Sequence, residues 1–217
     1  MKSSRTKIVD CTIRDGGLVN NWDFSVEFVQ NLYAGLNEAG VDYMEIGYKN
    51  SPKLLKGADQ AGPWRFLNDD FLREVIPQKG KTKLSALVDI GRVDEEDILP
   101  REESLLDLIR VACYIKDVDK ALELVQTFHN RGYETTINIM ALSNVMEHEL
   151  LEAFEMIKES VVDVVYIVDP TEVWIIKTSS TWSINSKRTY RTSVLASIRI
   201  TTCSWHFRIR WWLPRMA

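Results

Sequence analysis

The sequence predicts an α/β fold in which parallel strands alternate with crossover helices. Short apolar, β-branched runs recur six times in residues 1–169, and amphipathic helical patterns lie between them. Strand starts are spaced by roughly 25 to 40 residues, room for one helix and its two connections. A (β/α)8 barrel and a doubly wound sheet both satisfy that alternation. No GxGxxG or GxxxxGK follows the first strand, which removes the best reason to choose a nucleotide-binding sheet and leaves the barrel slightly ahead.

Each element has a local reason. KIVDCTI (7–13) reads as the first buried strand. SVEFVQNLYAGLNEAG (25–40) places Val26, Phe28, Val29, Leu32 and Leu36 on one broad helical stripe and ends in Gly40, a helix-stopping residue. VDYMEIGY (41–48) is the second strand, NDDFLREVI (68–76) a helix and TKLSALVDI (82–90) the third strand. The connection 91–104 is mostly acidic and only weakly helical. LLDLIRVACY (105–114), the helix DVDKALELVQTFHNRG (117–132) with its terminal Gly132, YETTINIMAL (133–142), the helix EHELLEAFEMIKES (147–160) and VVDVVYIV (161–168) complete the series. A full barrel needs about 250 residues, so residues 1–169 would supply some six of its eight units.

The composition, 45% hydrophobic and 27% charged over 217 residues, is that of a globular protein. No stretch is apolar and long enough to span a bilayer, and MKSSRTKIVD lacks the apolar region of a signal peptide. Cys11, Cys113 and Cys203 form no CxxC, which fits a reduced cytoplasm better than a disulfide framework or structural zinc. Charge is uneven. Eight of the 27 basic residues but one of the 31 acidic ones, Glu172, fall in residues 170–217, which leaves 19 basic against 30 acidic in residues 1–169. The same tail holds five of the seven Trp and no Gly, so the composition breaks at Asp169–Pro170.

In either fold, ligands meet the protein at the C-terminal ends of the strands. Arg14 and Asp15 follow the first strand in CTIRDGG, Glu45 lies within the second, Asp89 closes the third and Asp169 the sixth. Carboxylates with an arginine on one rim suit a divalent cation and an anionic substrate, because hard oxygen donors hold Mg²⁺ or Mn²⁺ and a forked guanidinium holds a carboxylate or enolate. Structural alternatives exist for each. RDGG could be a turn with a surface ion pair, Asp89 and Asp169 could cap helices, and Glu45 could be a buried partner of Arg14.

IVDCTIRDGG…NNWDF, VDYMEIGY, INIMALSN and VVYIVD, in that order and spacing, resemble the HMG-CoA lyase-like (DRE-TIM metallolyase) family of metal-dependent TIM-barrel enzymes, from about residue 6 to 169. The family includes aldolases of the 4-hydroxy-2-oxovalerate type, isopropylmalate and homocitrate synthases and the pyruvate carboxyltransferase domain. The resemblance implies a (β/α)8 barrel cut to about six βα units. It implies Asp15 as a metal ligand for Mn²⁺ or Mg²⁺, and Arg14 as the residue that stabilises the enolate of a 2-oxo acid. The resemblance also implies that Glu45 belongs to the same catalytic constellation and that Asn138 joins Arg14 in binding substrate. A small-molecule 2-oxo acid is the expected partner, with no nucleic acid or membrane and with room for a homo-oligomer. Acyl-CoA-dependent Claisen condensation is the alternative chemistry within the family. Two departures stand out. Family aldolases carry a His four residues after the Arg, where this chain has Leu18, and synthases have Glu-Gln where it has Gly17 and Leu18.

The family's metal also takes two His from an HxHNN-like motif on strand seven. This chain has three His: His129 and His148, expected on helix surfaces, and His206, with no HxH around it. Shifting the reading frame accounts for the loss. Joining each codon's third base to the next two, residues 169–175 permit S-Y-G-S-M-D and residues 197–207 permit H-S-H-N-N-M-Q-L-A-F. Both are family motifs in one frame, so residues 170–217 are expected to be an out-of-frame tail. A basic aromatic arm for single-stranded nucleic acid, in a non-catalytic binding protein, is the competing reading of that tail.

Overall fold

A computed structural model describes residues 7–141, 145–168, 194–199 and 208–211. The strands Val9–Asp10 (β1), Tyr43–Tyr48 (β2), Lys83–Asp89 (β3), Leu106–Tyr114 (β4), Glu134–Met140 (β5) and Val164–Val168 (β6) pair in sequence order, all in parallel. They form a curled half-barrel, as expected of a truncated (β/α)8 barrel. Helices Thr12–Asn20 (α1), Val26–Ala39 (α2), Asp69–Val75 (α3), Val118–Asn130 (α4) and Glu147–Lys158 (α5) connect them. Short 3-10 turns at Glu95–Asp97 and Arg101–Glu103 fill the acidic 91–104 connection.

Caps explain where the helices begin and end. The Phe28 amide donates to Ser25 Oγ at 3.2 Å to open α2, and the Phe71 amide to Asn68 Oδ1 at 2.8 Å to open α3. Gly40, at φ 69°, closes α2 in a left-handed conformation that suits glycine. One face of each strand then meets the helices. Met44, Ile46, Leu84, Ile109 and Ile137 join Val29, Leu72, Val125 and Phe128 in the main core, and each such side chain contributes about 1.5–3 kcal/mol by leaving water. Alternation sends Glu45, Arg110, Thr136 and Asn138 to the opposite, concave face, where the chemistry gathers.

The first strand is shorter than the sequence suggests. Asp10 accepts from the Thr12 amide at 3.1 Å and from its hydroxyl at 2.8 Å, and the Asp15 amide donates to the Cys11 carbonyl at 2.9 Å. These bonds start α1 at Thr12, so RDGG is a helical segment and not a turn. Beyond Asp169, Val194–Arg199 (β7) pairs in parallel with β6 and Arg208–Trp211 (β8) pairs antiparallel with β7. The sequence pattern assigned no strand to this tail; its β-branched runs meet the open edge that β6 would otherwise present. Asp169, Cys203 and His206 lie outside the described residues. Among the described residues, no helix is long and apolar enough to cross a membrane.

One irregularity bears on the site. Along β2 and β3, Glu45 pairs with Ser85 but Tyr48 pairs with Leu87, three steps against two. This is a bulge. Gly47 sits in it at φ 153°, and a Cβ there would lie 2.0 Å from the Trp64 carbonyl oxygen. Gly47→Ala is therefore expected to cost about 2 kcal/mol or more, seen as a lowered urea midpoint. A midpoint unchanged from the parent would contradict the bulge.

Candidate functional site

Charge on the concave face centres on Glu45, which is fully buried. An isolated carboxylate there would be very costly, and two guanidiniums answer it. Arg14 Nε donates to Glu45 Oε2 at 2.6 Å and Arg110 Nη1 to Glu45 Oε1 at 2.6 Å. Arg110, also fully buried, lies 4.7 Å from the Tyr166 ring centroid, a cation–π distance, and 3.6 Å from Cys11 Sγ. Its Nε and Nη2 have no hydrogen-bond partner among the described residues. Burial opposes ionisation of Glu45, but Arg110 and then Arg14 outweigh it and hold its carboxyl below the usual carboxylate range. Burial likewise opposes the charge on Arg14, yet Glu45, Cys11 and Asp15 hold it firmly protonated.

Arg14 and Asp15 stand in the first turn of α1, at the C-terminal end of β1. Arg14 Nη1 also pairs with Asp15 Oδ1. The other carboxylate oxygen, Asp15 Oδ2, is buried with no hydrogen-bond partner among the described residues. Burial raises the Asp15 pKa; Arg14 offsets part of this and Glu45 adds to it. A buried, unpartnered hard oxygen fits a divalent cation. No group of three or more His, Cys, Asp or Glu converges to complete a metal cage among the described residues.

The Arg14 backbone is fixed by Trp22, whose Nε1 donates to the Arg14 carbonyl at 3.0 Å. Asn21 and Trp22 both adopt left-handed backbone, at φ 57° and 58°, which folds the indole back onto α1. Gly17 makes that possible: a Cβ there would lie 2.0 Å from the ring. The departure from the family pattern at Gly17 thus has a packing reason. Leu18, by contrast, is 64% exposed.

The sequence-derived candidates are placed as follows. Arg14 is in direct contact with both Asp15 and Glu45. Asn138 is buried on β5 and accepts from Thr136 Oγ1 at 3.5 Å; no described hydrogen bond joins it to Arg14. Asp89 closes β3 as expected, but its Oδ2 accepts from Asn50 at 3.1 Å and Arg92 at 3.0 Å. Asp89 does not cap the next helical turn; that role falls to Asp94, which accepts from the Glu96 amide at 3.2 Å. His129 and His148 are exposed on α4 and α5. Sequence reasoning missed Arg110 and Tyr48. A lone arginine between Ile109 and Val111 in an apolar strand carried the same signal as Glu45 and could have found the first.

No protein-family model matches the chain. A 4-hydroxy-2-oxovalerate aldolase from Pelotomaculum thermopropionicum is 27% identical over 163 residues, 75% of this chain and 48% of the relative. An oxaloacetate decarboxylase from Mycobacterium tuberculosis is 23% identical over 171 residues, 77% and 49% respectively. The chain thus spans about half the length of the curated relatives it matches. Among solved structures, the N-terminal domain of a candidate aldolase from Bacteroides vulgatus aligns with TM-score 0.67 at 24% identity, over 89% of this chain and 64% of that one. The carboxyl transferase domain of Rhizobium etli pyruvate carboxylase aligns with TM-score 0.54 at 12% identity, over 76% and 31%. The relatives support the metallolyase-like family resemblance, and the structures support the fold.

Two substitutions separate the roles of the carboxylates. Glu45→Gln takes the counter-charge from the buried Arg110 guanidinium and one of two from Arg14, and is expected to cost about 3–5 kcal/mol in urea denaturation at pH 7. Asp15→Asn goes the other way. An acid whose folded pKa is raised loses stability as pH climbs past its unfolded value, so the neutral isostere is expected to match or exceed the parent at pH 7 in metal-free buffer. A large loss for Asp15→Asn would show that its carboxylate is structural.

Proposed function

We propose that this chain carries the enolate-stabilising part of a carbon–carbon lyase that acts on 2-oxo acids with a divalent metal. The observation that carries the reading is the buried Asp15 oxygen, without a hydrogen-bond partner among the described residues, beside an Arg14 side chain that Glu45 holds in place. An aldol cleavage or a β-decarboxylation of a 2-oxo acid breaks the C3–C4 bond and leaves its electron pair on the C2–C3 enolate. Both activities named among the relatives are of this kind.

Arg14 supplies a permanent cation to the oxyanion that develops at C2. Its guanidinium is already oriented by Glu45 and Asp15, so little reorganisation accompanies the reaction. Glu45, ionised and locked between two arginines, is a positioning group and not a proton shuttle. Asp15 Oδ2 would hold Mn²⁺ or Mg²⁺, which would supply Lewis-acid polarisation of the substrate carbonyl. Asn138, on the same concave face, offers an amide to the substrate carboxylate.

Residues 170–217 belong to the proposal as an out-of-frame tail. Similarity to the aldolase and the decarboxylase covers 75% and 77% of the chain, in keeping with a match that stops near residue 169. The family's second metal-binding element, the HxHNN pair, is then missing from the translated sequence, and this copy is impaired. The test is to resequence the gene across the Asp169 and Pro170 codons, restore the frame, and assay pyruvate release from oxaloacetate and 4-hydroxy-2-oxovalerate with Mn²⁺. The restored protein is expected to release pyruvate at least about 100-fold faster than the 217-residue chain, since one well-placed electrostatic element is worth about that much, and Arg14→Ala should abolish the difference. An adjacent frame without a histidine pair, or a restored protein that is inert on both substrates, would overturn the reading.

A further inference from the structure

Strict alternation along β2 would send Glu45 and Gly47 to the concave face and Tyr48 to the helix side. The bulge reverses this. With one extra residue between the Glu45–Ser85 and Tyr48–Leu87 pairs, Tyr48 returns to the face that Glu45 occupies. There its ring meets Trp22 edge-on, centroids 5.5 Å apart at 89°, and Trp22 in turn bonds the Arg14 carbonyl. Tyr48 is buried to 9% exposure at the C-terminal end of its strand, the end that faces ligand.

We propose that Tyr48 is a second donor to the substrate oxyanion, aimed there by the Gly47 bulge and working beside Arg14. The proposal rests on the function proposed above and adds a residue to it. A phenol O–H can donate to an oxyanion alongside the donors of a guanidinium. Burial, partly offset by Arg14, pushes the Tyr48 hydroxyl up to about 12, so it carries its proton at neutral pH.

Other neighbours of Arg14 are committed elsewhere. Both Glu45 oxygens face guanidiniums, Cys11 is buried deeper beside Arg110, and the Trp22 N–H is used on the Arg14 carbonyl. Leu18 brings no polar group. Tyr48 thus brings an O–H donor to the face where Glu45 holds Arg14.

The test uses oxalate, a planar dianion with the oxygen spacing of a pyruvate enolate, titrated calorimetrically into the 217-residue chain without added metal, so that binding reports the Arg14 side of the site alone. The parent should bind, Arg14→Ala should not, and Tyr48→Phe should bind at least about tenfold more weakly, the loss expected of one hydrogen bond to a charged acceptor. Circular dichroism checks that Tyr48→Phe stays folded. Independently of that variant, 3-fluorotyrosine installed at position 48 should show its fluorine resonance moving on addition of oxalate. Unchanged affinity in Tyr48→Phe, or an unmoved resonance while the parent binds oxalate, would overturn the role of Tyr48 and leave the lyase reading standing. A parent that fails to bind oxalate, or binds it equally well without Arg14, would bring down both.

Discussion

The structure depends on one carboxylate shared between two guanidiniums. Glu45, with no solvent exposure, binds Arg14 through one oxygen and Arg110 through the other, each at 2.6 Å. Taking three charges out of water costs several kcal/mol per ion, and the arrangement is tolerable only because every one of them has an opposite neighbour. That cost is poor value for stability alone, since an apolar trio would pack as well. What the triad supplies is a rigid cation: Arg14 cannot swing away without leaving one buried oxygen of Glu45 unpaired.

Three features of the backbone deliver that cation to the rim. The Asp10–Thr12 bonds end β1 early and turn Arg14 and Asp15 into the first turn of a helix above the sheet. Gly17 clears a slot for Trp22, which bonds back to the Arg14 carbonyl. The bulge at Gly47 rotates Tyr48 onto the same face. Each feature gives up some regularity near the site, where function most often justifies it. Asp15 follows the same logic, since a buried oxygen left without a partner is a cost that a bound cation would remove.

Much of this was legible in the sequence. All six strands of residues 1–169 were visible as short apolar, β-branched runs and four crossover helices as period-3.6 patterns, because the core face of each element is continuous and apolar. Glu45 stood out since a carboxylate between Met44 and Ile46 needs a partner. Arg110 carried the same signal in β4 but was embedded in a strand with Asp107 nearby, so no motif drew attention to it. Tyr48 was not legible: its inward direction depends on the bulge, and alternation places it on the wrong face. The extent of β1 was misjudged for a related reason, as side-chain caps from Asp10 override the β-branched run. The strands of residues 194–199 and 208–211 were unassigned because the composition break at Asp169 set the tail apart from the repeating pattern.

The central claim is that Glu45 and Arg110 form one energetic unit that holds Arg14. A double-mutant cycle with Glu45→Gln and Arg110→Met, followed by urea denaturation at pH 7, tests it most directly. The account predicts a coupling energy of at least about 2 kcal/mol, the pair of changes costing far less than the two single changes added together. Additivity to within about 0.5 kcal/mol would show that the two residues act independently, and the rim built on their union would lose its foundation.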